Sequence, residues 1–295
     1  MPRFLVYFKK MLKMEEFMGK NRVVKNIIAG CIFAACGISA CHAGSELQPG
    51  ITTGLPLGIQ LPPGIYFLGL NSYGWRGESP TVGVGAVAPW LIWSTPWTIA
   101  GGRLVLDTVT GIAGVDIKGH HSFTGAINPL LDANLKWDFG GGLSAGIHGA
   151  VYLPMHNNLT ALGVTNNFYS FVTAAAVTYE HNGWEFDATG LYGTGKNGDT
   201  LGENAAPSWV NYDLTAFKRV GPWEFGAVAF GSHDISTPIN GYQRQSQFAM
   251  GGLVGYRIGK YTMQLKITRD LAESNYSGRE TRIGLNLIIP LLVKE

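Results

Sequence analysis

Hydrophobic and polar side chains alternate one by one along most of the chain after Gly64. Residues 261–268 show the pattern most plainly, because their odd positions are apolar and their even positions are polar. A β-strand has a side-chain period of two, so each such segment presents one apolar and one polar face. The segments come in pairs joined by very short turns, and long polar loops separate the pairs. A soluble β-sandwich also contains strands with alternating side chains. The regular alternation of short turns and long loops, however, is typical of an up-and-down barrel that crosses a membrane.

The pattern therefore predicts an all-β fold, a transmembrane up-and-down antiparallel β-barrel of about 12 strands, an even number as in single-chain bacterial barrels. The predicted strands cover residues 64–75, 81–92, 97–110, 123–138, 142–154, 167–181, 183–194, 208–220, 222–233, 244–258, 260–271 and 279–290. Short turns are predicted at residues 94–96, 139–141, 181–183, 220–222 and 259–260. Asn182-Gly183 is the clearest of them, because both residue types tolerate positive φ. Long loops are predicted at residues 111–122, 155–166, 195–207, 234–243 and 272–278.

The composition excludes two other classes of protein. Charged residues make up 14% of the chain, against roughly 25% in soluble domains. A helical membrane protein needs several apolar runs of about 20 residues, and the sequence has none after residue 45. A net charge of +2 gives no reason to expect a nucleic-acid partner.

The N-terminus predicts export. Basic residues precede an apolar stretch at residues 27–38, and small residues then suggest cleavage after Ala43. Residues 1–43 are therefore predicted to be a signal peptide. Its basic region is unusually long, which makes Met14 or Met18 a candidate start.

The remaining chain divides into two parts. Residues 44–63, rich in Gly, Pro and Leu, are predicted to be an irregular segment at the barrel entrance that folds into the lumen, and residues 64–295 are the barrel. All three cysteines lie in the leader, so the mature chain would have no thiol for a disulfide, a zinc site or a nucleophile. Two alternatives for the leader stay open. One is a membrane anchor, which its short apolar core disfavours, and the other is lipidation of Cys41, because residues 38–41 resemble a lipobox.

Aromatic residues border the predicted short turns. An indole ring prefers the membrane–water boundary, where its body is apolar and its N–H stays wet. The predicted interfacial girdle consists of Trp93, Trp97, Trp137, Trp184, Trp223 and Tyr261.

Charged side chains occupy the opposite faces of the predicted strands. A charge that faces lipid at mid-membrane depth costs roughly 2–4 kcal/mol, so these side chains are expected to line the lumen. The candidates are Arg103, Asp107, Asp132, Lys136, His148, Glu185, Asp187, Asp213, Glu224, Lys266 and Arg282.

One short motif raises the question of catalysis. His120 and Ser122 are two residues apart, the spacing that outer-membrane phospholipase A uses on a strand of its twelve-stranded barrel. A serine nucleophile also needs a group that orients the base and donors for the oxyanion. The surrounding sequence is a Gly-rich loop that does not resemble that family. No metal ligands occur at the required spacing, and no cofactor is expected.

Residues 61–67, Leu-Pro-Pro-Gly-Ile-Tyr-Phe, lead into the first predicted strand, and residues 88–93, 127–129 and 179–186 carry further short motifs. Along these motifs the chain resembles the meta-pathway phenol-degradation family, also called SphA-like outer-membrane proteins. The resemblance implies a β-barrel that passes small hydrophobic or aromatic compounds across the bacterial outer membrane. It supplies no catalytic residues.

The resulting hypothesis is an outer-membrane channel or uptake barrel that is not an enzyme. Its expected partners are membrane lipid, a small hydrophobic or aromatic solute and the barrel-assembly machinery. A structural or adhesive barrel with a closed lumen is the main alternative, and an outer-membrane phospholipase is a third.

Overall fold

The structure is a computed structural model, and it describes residues 44–77, 81–119, 122–198, 205–276 and 278–293. The predicted signal peptide, including Met14, Met18 and Cys41, lies outside these residues, and so does His120.

The described residues form β-strands and one short 3-10 helix at Thr160–Leu162. The strands are β1 (Gly64–Arg76), β2 (Val82–Ile99), β3 (Gly102–Val109), β4 (Ile112–Ile117), β5 (Phe123–Ala126), β6 (Leu130–Gly140), β7 (Leu143–Tyr152), β8 (Ser170–His181), β9 (Trp184–Gly193), β10 (Trp209–Val220), β11 (Trp223–Asp234), β12 (Ser246–Ile258), β13 (Tyr261–Ser274) and β14 (Glu280–Val293). No helix within the described ranges is long and apolar enough to cross a membrane.

The strands close into an antiparallel barrel with 12 positions in its wall, which confirms the predicted fold class. Each strand from β6 to β14 pairs with the next, and β1 pairs with both β14 and β2. Strand β4 extends β3, because both pair with β2 in one continuous register. Strand β5 pairs with β4 and precedes β6, which pairs with β3, and the register is offset by one residue between these two pairings.

Four of the five predicted short turns are confirmed, at the ends of β6, β8, β10 and β12. The turn predicted at residues 94–96 is wrong, because β2 continues to Ile99 and the chain reverses at Ala100 and Gly101, with φ of 50° and 77°.

A bulge explains this error. The pairing of β2 with β3 shifts between Ser94 and Thr98. Within the bulge the Thr95 hydroxyl donates to the Leu104 carbonyl at 2.8 Å, and Arg103 donates to the Thr95 carbonyl at 3.1 Å. Proline has no N–H to offer a strand ladder, so Pro96 fits a bulge as well as it fits a turn.

The loop predicted at residues 111–122 is also partly wrong, because it contains strand β4. The strand forms because Ala113, Val115 and Ile117 are buried on its inner face, while its backbone pairs with β2 and β5.

The wall is interrupted on one side of β5. Strand β7 ends at Tyr152 and β8 begins only at Ser170, so within the described residues β5 has a strand neighbour on one edge alone. Residues 127–129 and the loop 153–169, together called the wall break here, fill this place. The Asn128 amide donates to the carbonyls of Leu153 at 2.8 Å and Asn166 at 2.7 Å, and its oxygen accepts from the Asn166 N–H at 2.9 Å.

Candidate functional site

Residues 44–63, called the lumenal segment here, run through the inside of the barrel from the long-loop end to the short-turn end. Near the long loops, Asn211 donates to the Ser45 hydroxyl at 2.9 Å. Near the short turns, the Gly58 N–H donates to the Thr178 hydroxyl at 3.2 Å, and Ser94 donates to the Leu61 carbonyl at 2.9 Å. The segment is irregular and follows a series of backbone turns.

Asp213 and Lys266 hold the middle of the lumenal segment. The Asp213 carboxylate accepts from the N–H groups of Gly50 at 3.0 Å and Thr52 at 3.1 Å, and from the Thr52 hydroxyl at 2.5 Å. The Lys266 ammonium donates to the carbonyl and hydroxyl oxygens of Thr53 at 2.7 and 3.0 Å. Arg282 donates to the Pro49 carbonyl. Three of the residues predicted to line the lumen therefore act together on one turn of the segment.

Glu46 anchors the start of the lumenal segment. Its carboxylate accepts from the Trp209 indole at 2.7 Å and from the Asn166 amide at 2.6 Å. Burial raises the pKa of Glu46, whereas the hydrogen bonds from Trp209 and Asn166 favour the carboxylate. The segment is thus connected through Asn166 to the wall break.

A second charged cluster lies toward the short-turn end. Arg219 contacts Glu185, Glu180 at 2.7 Å and Glu224 at 3.4 Å. Asp187 lies beside it and accepts from the Thr178 hydroxyl at 2.6 Å. The sequence predicted Glu185, Asp187 and Glu224 at the lumen but not Arg219. Arg219 is an even number of residues from Asp213 along β10, so both side chains lie on the same face of the strand, and this spacing could have predicted Arg219 at the lumen.

A third polar group includes four other predicted residues, Asp107, Asp132, Lys136 and His148. Asp107 accepts from the Trp90 indole and from Asn134, each at 2.7 Å. The His148 Nδ1 atom lies 3.0 Å from the Asp132 carboxylate. Lys136 is buried beside both acids.

The remaining predicted lumen residue, Arg103, does not join these clusters. It binds the Thr95 carbonyl in the bulge of β2.

The inner surface is not polar throughout. Many inward-facing side chains of β1 to β4 are apolar and buried, and we call the surface that they form the apolar wall. It consists of Tyr66, Leu68, Leu70, Val82, Val84, Ala88, Trp90, Ile92, Val105, Ala113, Val115 and Ile117. The alternation of side chains did not predict this surface, because a transmembrane barrel is expected to have a polar inner face. The signal was present, since residues 64–70 and 82–92 are largely apolar at both odd and even positions.

A cavity of about 110 Å³ lies between the apolar wall, the lumenal segment and strands β7 to β9. Its lining is mostly aliphatic and aromatic and includes Leu57, Trp90, Ala150, Tyr152, Val172 and Leu191. The polar residues of the lining are Glu46, Gln48, Thr52, Asn128, Asp132 and His148. Ile127, Asn128 and Val164, which belong to the wall break, complete it. The cavity can therefore hold a small apolar molecule beside an interruption in the barrel wall.

The residues of the predicted girdle lie on the outer surface. Trp93, Trp97, Trp184, Trp223 and Tyr261 are exposed, and Trp137 is half-buried over Gly102, with its indole donating to the Ala100 carbonyl at 3.0 Å. They lie near the short turns, and exposed aliphatic and aromatic side chains cover the outer surface beyond them.

The structure gives the phospholipase alternative no support. Ser122 is exposed, and its hydroxyl donates to the Asp116 carboxylate at 2.7 Å. In the described part of the chain, no three His, Cys, Asp or Glu side chains are grouped as a metal site.

Comparison with known proteins identifies the family. Residues 69–286 match the family described as "Putative MetA-pathway of phenol degradation", and the chain belongs to it. No curated protein sequence matches the chain.

Solved structures show where the fold has been seen before. The crystal structure of the COG4313 outer membrane channel from Pseudomonas putida F1 is similar with a TM-score of 0.68 and 15% identity, over 83% of this chain and 100% of that chain. The NanC porin has a TM-score of 0.47 and 8% identity, over 76% and 100%. The β domain of the Bordetella autotransporter BrkA has a TM-score of 0.45 and 13% identity, over 78% and 100%. The first of these similarities shows a shared barrel fold.

Proposed function

We propose that this member of the phenol-degradation family is an outer-membrane channel for the uptake of small hydrophobic or aromatic compounds. The single observation that carries the proposal is the apolar cavity inside the barrel. Membrane barrels usually have a polar interior, so an apolar wall inside one needs a reason. A cavity of roughly 150 Å³ lined by aliphatic and aromatic side chains is known to hold benzene, and the cavity of about 110 Å³ is of the same order.

The proposed route runs from the long-loop end into the cavity and then through the wall break. The lumenal segment occupies the direct path toward the short turns, where Asp213, Lys266 and Arg282 hold it. An apolar solute gains little from a polar exit, whereas the wall break beside the cavity leads toward the acyl chains. Ile127, Asn128 and Val164 would line this exit.

The outer surface supports the proposed location. Exposed side chains such as Leu131, Ile147 and Phe171 would cost free energy in water and are stable against lipid. The chain would therefore be exported by its leader, inserted into the bacterial outer membrane by the barrel-assembly machinery, and surrounded there by lipid. The aromatic residues near the short turns would lie at one interface.

Filling the cavity tests the proposal. Ala150 lines the cavity, and Ala145 lies on the outward side of the same strand β7, so Ala145→Leu is a matched control for Ala150→Leu. Overpacking costs about 1–3 kcal/mol, which corresponds to occupancy at least about fivefold lower. We expect Ala150→Leu to slow the entry of radiolabelled toluene into cells that carry the protein, and Ala145→Leu to leave the rate unchanged. Equal rates for both variants and the wild type would contradict the proposal.

A closed structural or adhesive barrel is the second candidate, because the lumenal segment fills much of the lumen. Toluene entry separates the two functions. If cells with and without the wild-type protein take up toluene at the same rate, and the purified barrel has no conductance in a planar bilayer, the structural function is favoured.

A further inference from the structure

The last residue of strand β11, at the long-loop end of the barrel, is a buried acid with one unsatisfied oxygen. Asp234 is only 6% exposed. Its Oδ2 atom accepts from the Tyr242 hydroxyl at 2.5 Å and from the Gln245 N–H at 2.9 Å. Its Oδ1 atom has no hydrogen-bond partner among the described residues. A buried carboxylate oxygen without a donor costs free energy, so Oδ1 favours a further donor, and a cationic donor most of all.

The charged side chains closest in sequence do not supply that donor. Arg244 is exposed, and its guanidinium donates to the Thr237 hydroxyl at 3.3 Å. His233 precedes Asp234 on β11 and is exposed on the opposite face of the strand.

The Oδ1 atom of Asp234 faces the backbone of Gly44. A Cβ atom on Gly44 would lie 2.7 Å from Oδ1 and 2.2 Å from Cγ of Pro207. The Gly44 nitrogen is bonded to the same α-carbon, so it lies within about 5 Å of Oδ1. The next residue holds Gly44 in this place, because the buried Ser45 hydroxyl accepts from the Asn211 amide at 2.9 Å.

Gly44 is also the residue at which the predicted cleavage would begin the mature chain. Hydrolysis of the bond between Ala43 and Gly44 by a signal peptidase consumes one water molecule. Ala43 leaves as a carboxylate, and the amine of Gly44 takes up a proton and becomes an α-ammonium group. Before cleavage the same nitrogen is a neutral amide with a single hydrogen. After cleavage it carries a positive charge and three hydrogens beside the unsatisfied oxygen, and it is free to rotate toward that oxygen.

We propose that removal of the leader supplies Asp234 with its partner, the α-ammonium group of Gly44, and that this ion pair fixes the start of the lumenal segment. The short turns of outer-membrane barrels face the periplasm, where export delivers the chain, whereas Gly44 lies at the opposite end. A chain that is cut before it folds can place its terminus there without carrying 43 leader residues along the lumen. The ion pair does not depend on the solute and stands whether or not the barrel is a channel.

The mature terminus and its reactivity test the ion pair. The protein is expressed with its leader, purified from outer membranes and examined by mass spectrometry, and we expect the chain to start at Gly44. The α-amine of the folded barrel is then methylated with formaldehyde and borohydride, which requires the neutral amine. A charge-assisted hydrogen bond corresponds to about tenfold or more. We therefore expect the α-amine to react about tenfold faster in Asp234→Asn than in the wild type. The exposed amine of Lys118 is the internal reference and should react equally in both.

Asp116→Asn is the matched control, because Asp116 is an exposed acid that accepts from Ser122. It should leave the α-amine as slow as in the wild type. Insertion of one alanine between Gly44 and Ser45 is a second variant in case Asp234→Asn does not fold. It keeps both charges but moves the ammonium group by up to about 3.8 Å, so the amine should again react about tenfold faster.

A merely structural role for Asp234 gives a different result in the combined variant. If the insertion and Asp234→Asn break the same interaction, the combination reacts no faster than either change alone. A start at Gly44, a slow α-amine in the wild type and this lack of additivity support the ion pair. A chain that starts at another residue, an acylated Cys41, equal reactivity in the wild type and Asp234→Asn, or additive effects overturn it. None of these outcomes alters the expected entry of toluene.

Discussion

At the scale of single residues, charge in this barrel is used to position backbone. Asp213 and Lys266 do not point into open water but bind opposite kinds of group on one turn of the lumenal segment. The acid receives N–H groups, and the ammonium donates to carbonyl oxygens. Each charge satisfies backbone groups that an irregular segment cannot satisfy within itself. Polar lumen residues can therefore serve as the anchor of a segment as well as the lining of a channel.

Asp213→Ala should loosen the lumenal segment. The change leaves the N–H groups of Gly50 and Thr52 buried without acceptors, at a cost of about 1–3 kcal/mol each. We expect the amides of residues 44–63 to exchange hydrogen about 100-fold faster, as measured by mass spectrometry on the folded barrel. Asp116→Ala is the control, because Asp116 is an exposed acid that accepts one hydrogen bond from Ser122. Exchange as slow as in the wild type would show that Asp213 does not hold the segment.

At the scale of elements, side-chain alternation predicted the strands because a buried inner face and an exposed outer face impose a period of two. The same reasoning placed Asp213, Glu224 and Lys266 on the inner face. It failed at the bulge around Pro96, because a proline between two strands suits a turn equally well. It also failed to find the cavity. That site depends on Leu57 of the lumenal segment and on Ala150 of β7, and only the closed barrel brings those residues together.

Asn128→Ala should open the wall break. The side chain of Asn128 makes three hydrogen bonds to Leu153 and Asn166, and one backbone bond, from the Leu153 N–H to the Pro129 carbonyl at 2.8 Å, accompanies them. Loss of the three side-chain bonds should weaken the docking of the loop 153–169 by about 2 kcal/mol. We expect faster hydrogen exchange in that loop together with faster toluene entry. Asn71→Ala on β1 is the matched control, because the Asn71 amide makes only long contacts of 3.4 Å. A looser loop with slower or unchanged entry would contradict the proposed exit.

At the scale of the whole molecule, the barrel wall and the lumenal segment inside it have separate sources of stability. The wall is a closed ladder in which β1 pairs with β14, so its backbone groups are satisfied without the lumenal segment. The segment depends on the wall for its partners, because Asp213, Thr215 and Thr178 all accept from its backbone. Wall side chains such as Lys266 and Arg282 also lose partners without the segment, but the backbone ladder of the wall does not, and this predicts that the barrel survives loss of the segment.

Deletion of residues 45–60 tests that dependence. The deletion retains Leu61 and Pro62, whose carbonyls accept from Ser94 and Tyr66 at 2.9 Å, so the entry into β1 is preserved. We expect the shortened protein to fold, to keep the heat-dependent gel mobility of a closed barrel, and to conduct ions in a planar bilayer several times better than the wild type. The ionic path would follow the polar side of the lumen, where Asp213, Lys266 and Arg282 become hydrated once the segment is removed. The apolar cavity loses Leu57 and with it one of its walls, so toluene binding should fall while conductance rises. A fall in both would show that the segment supports the barrel itself, and an unchanged conductance would place the constriction in the wall.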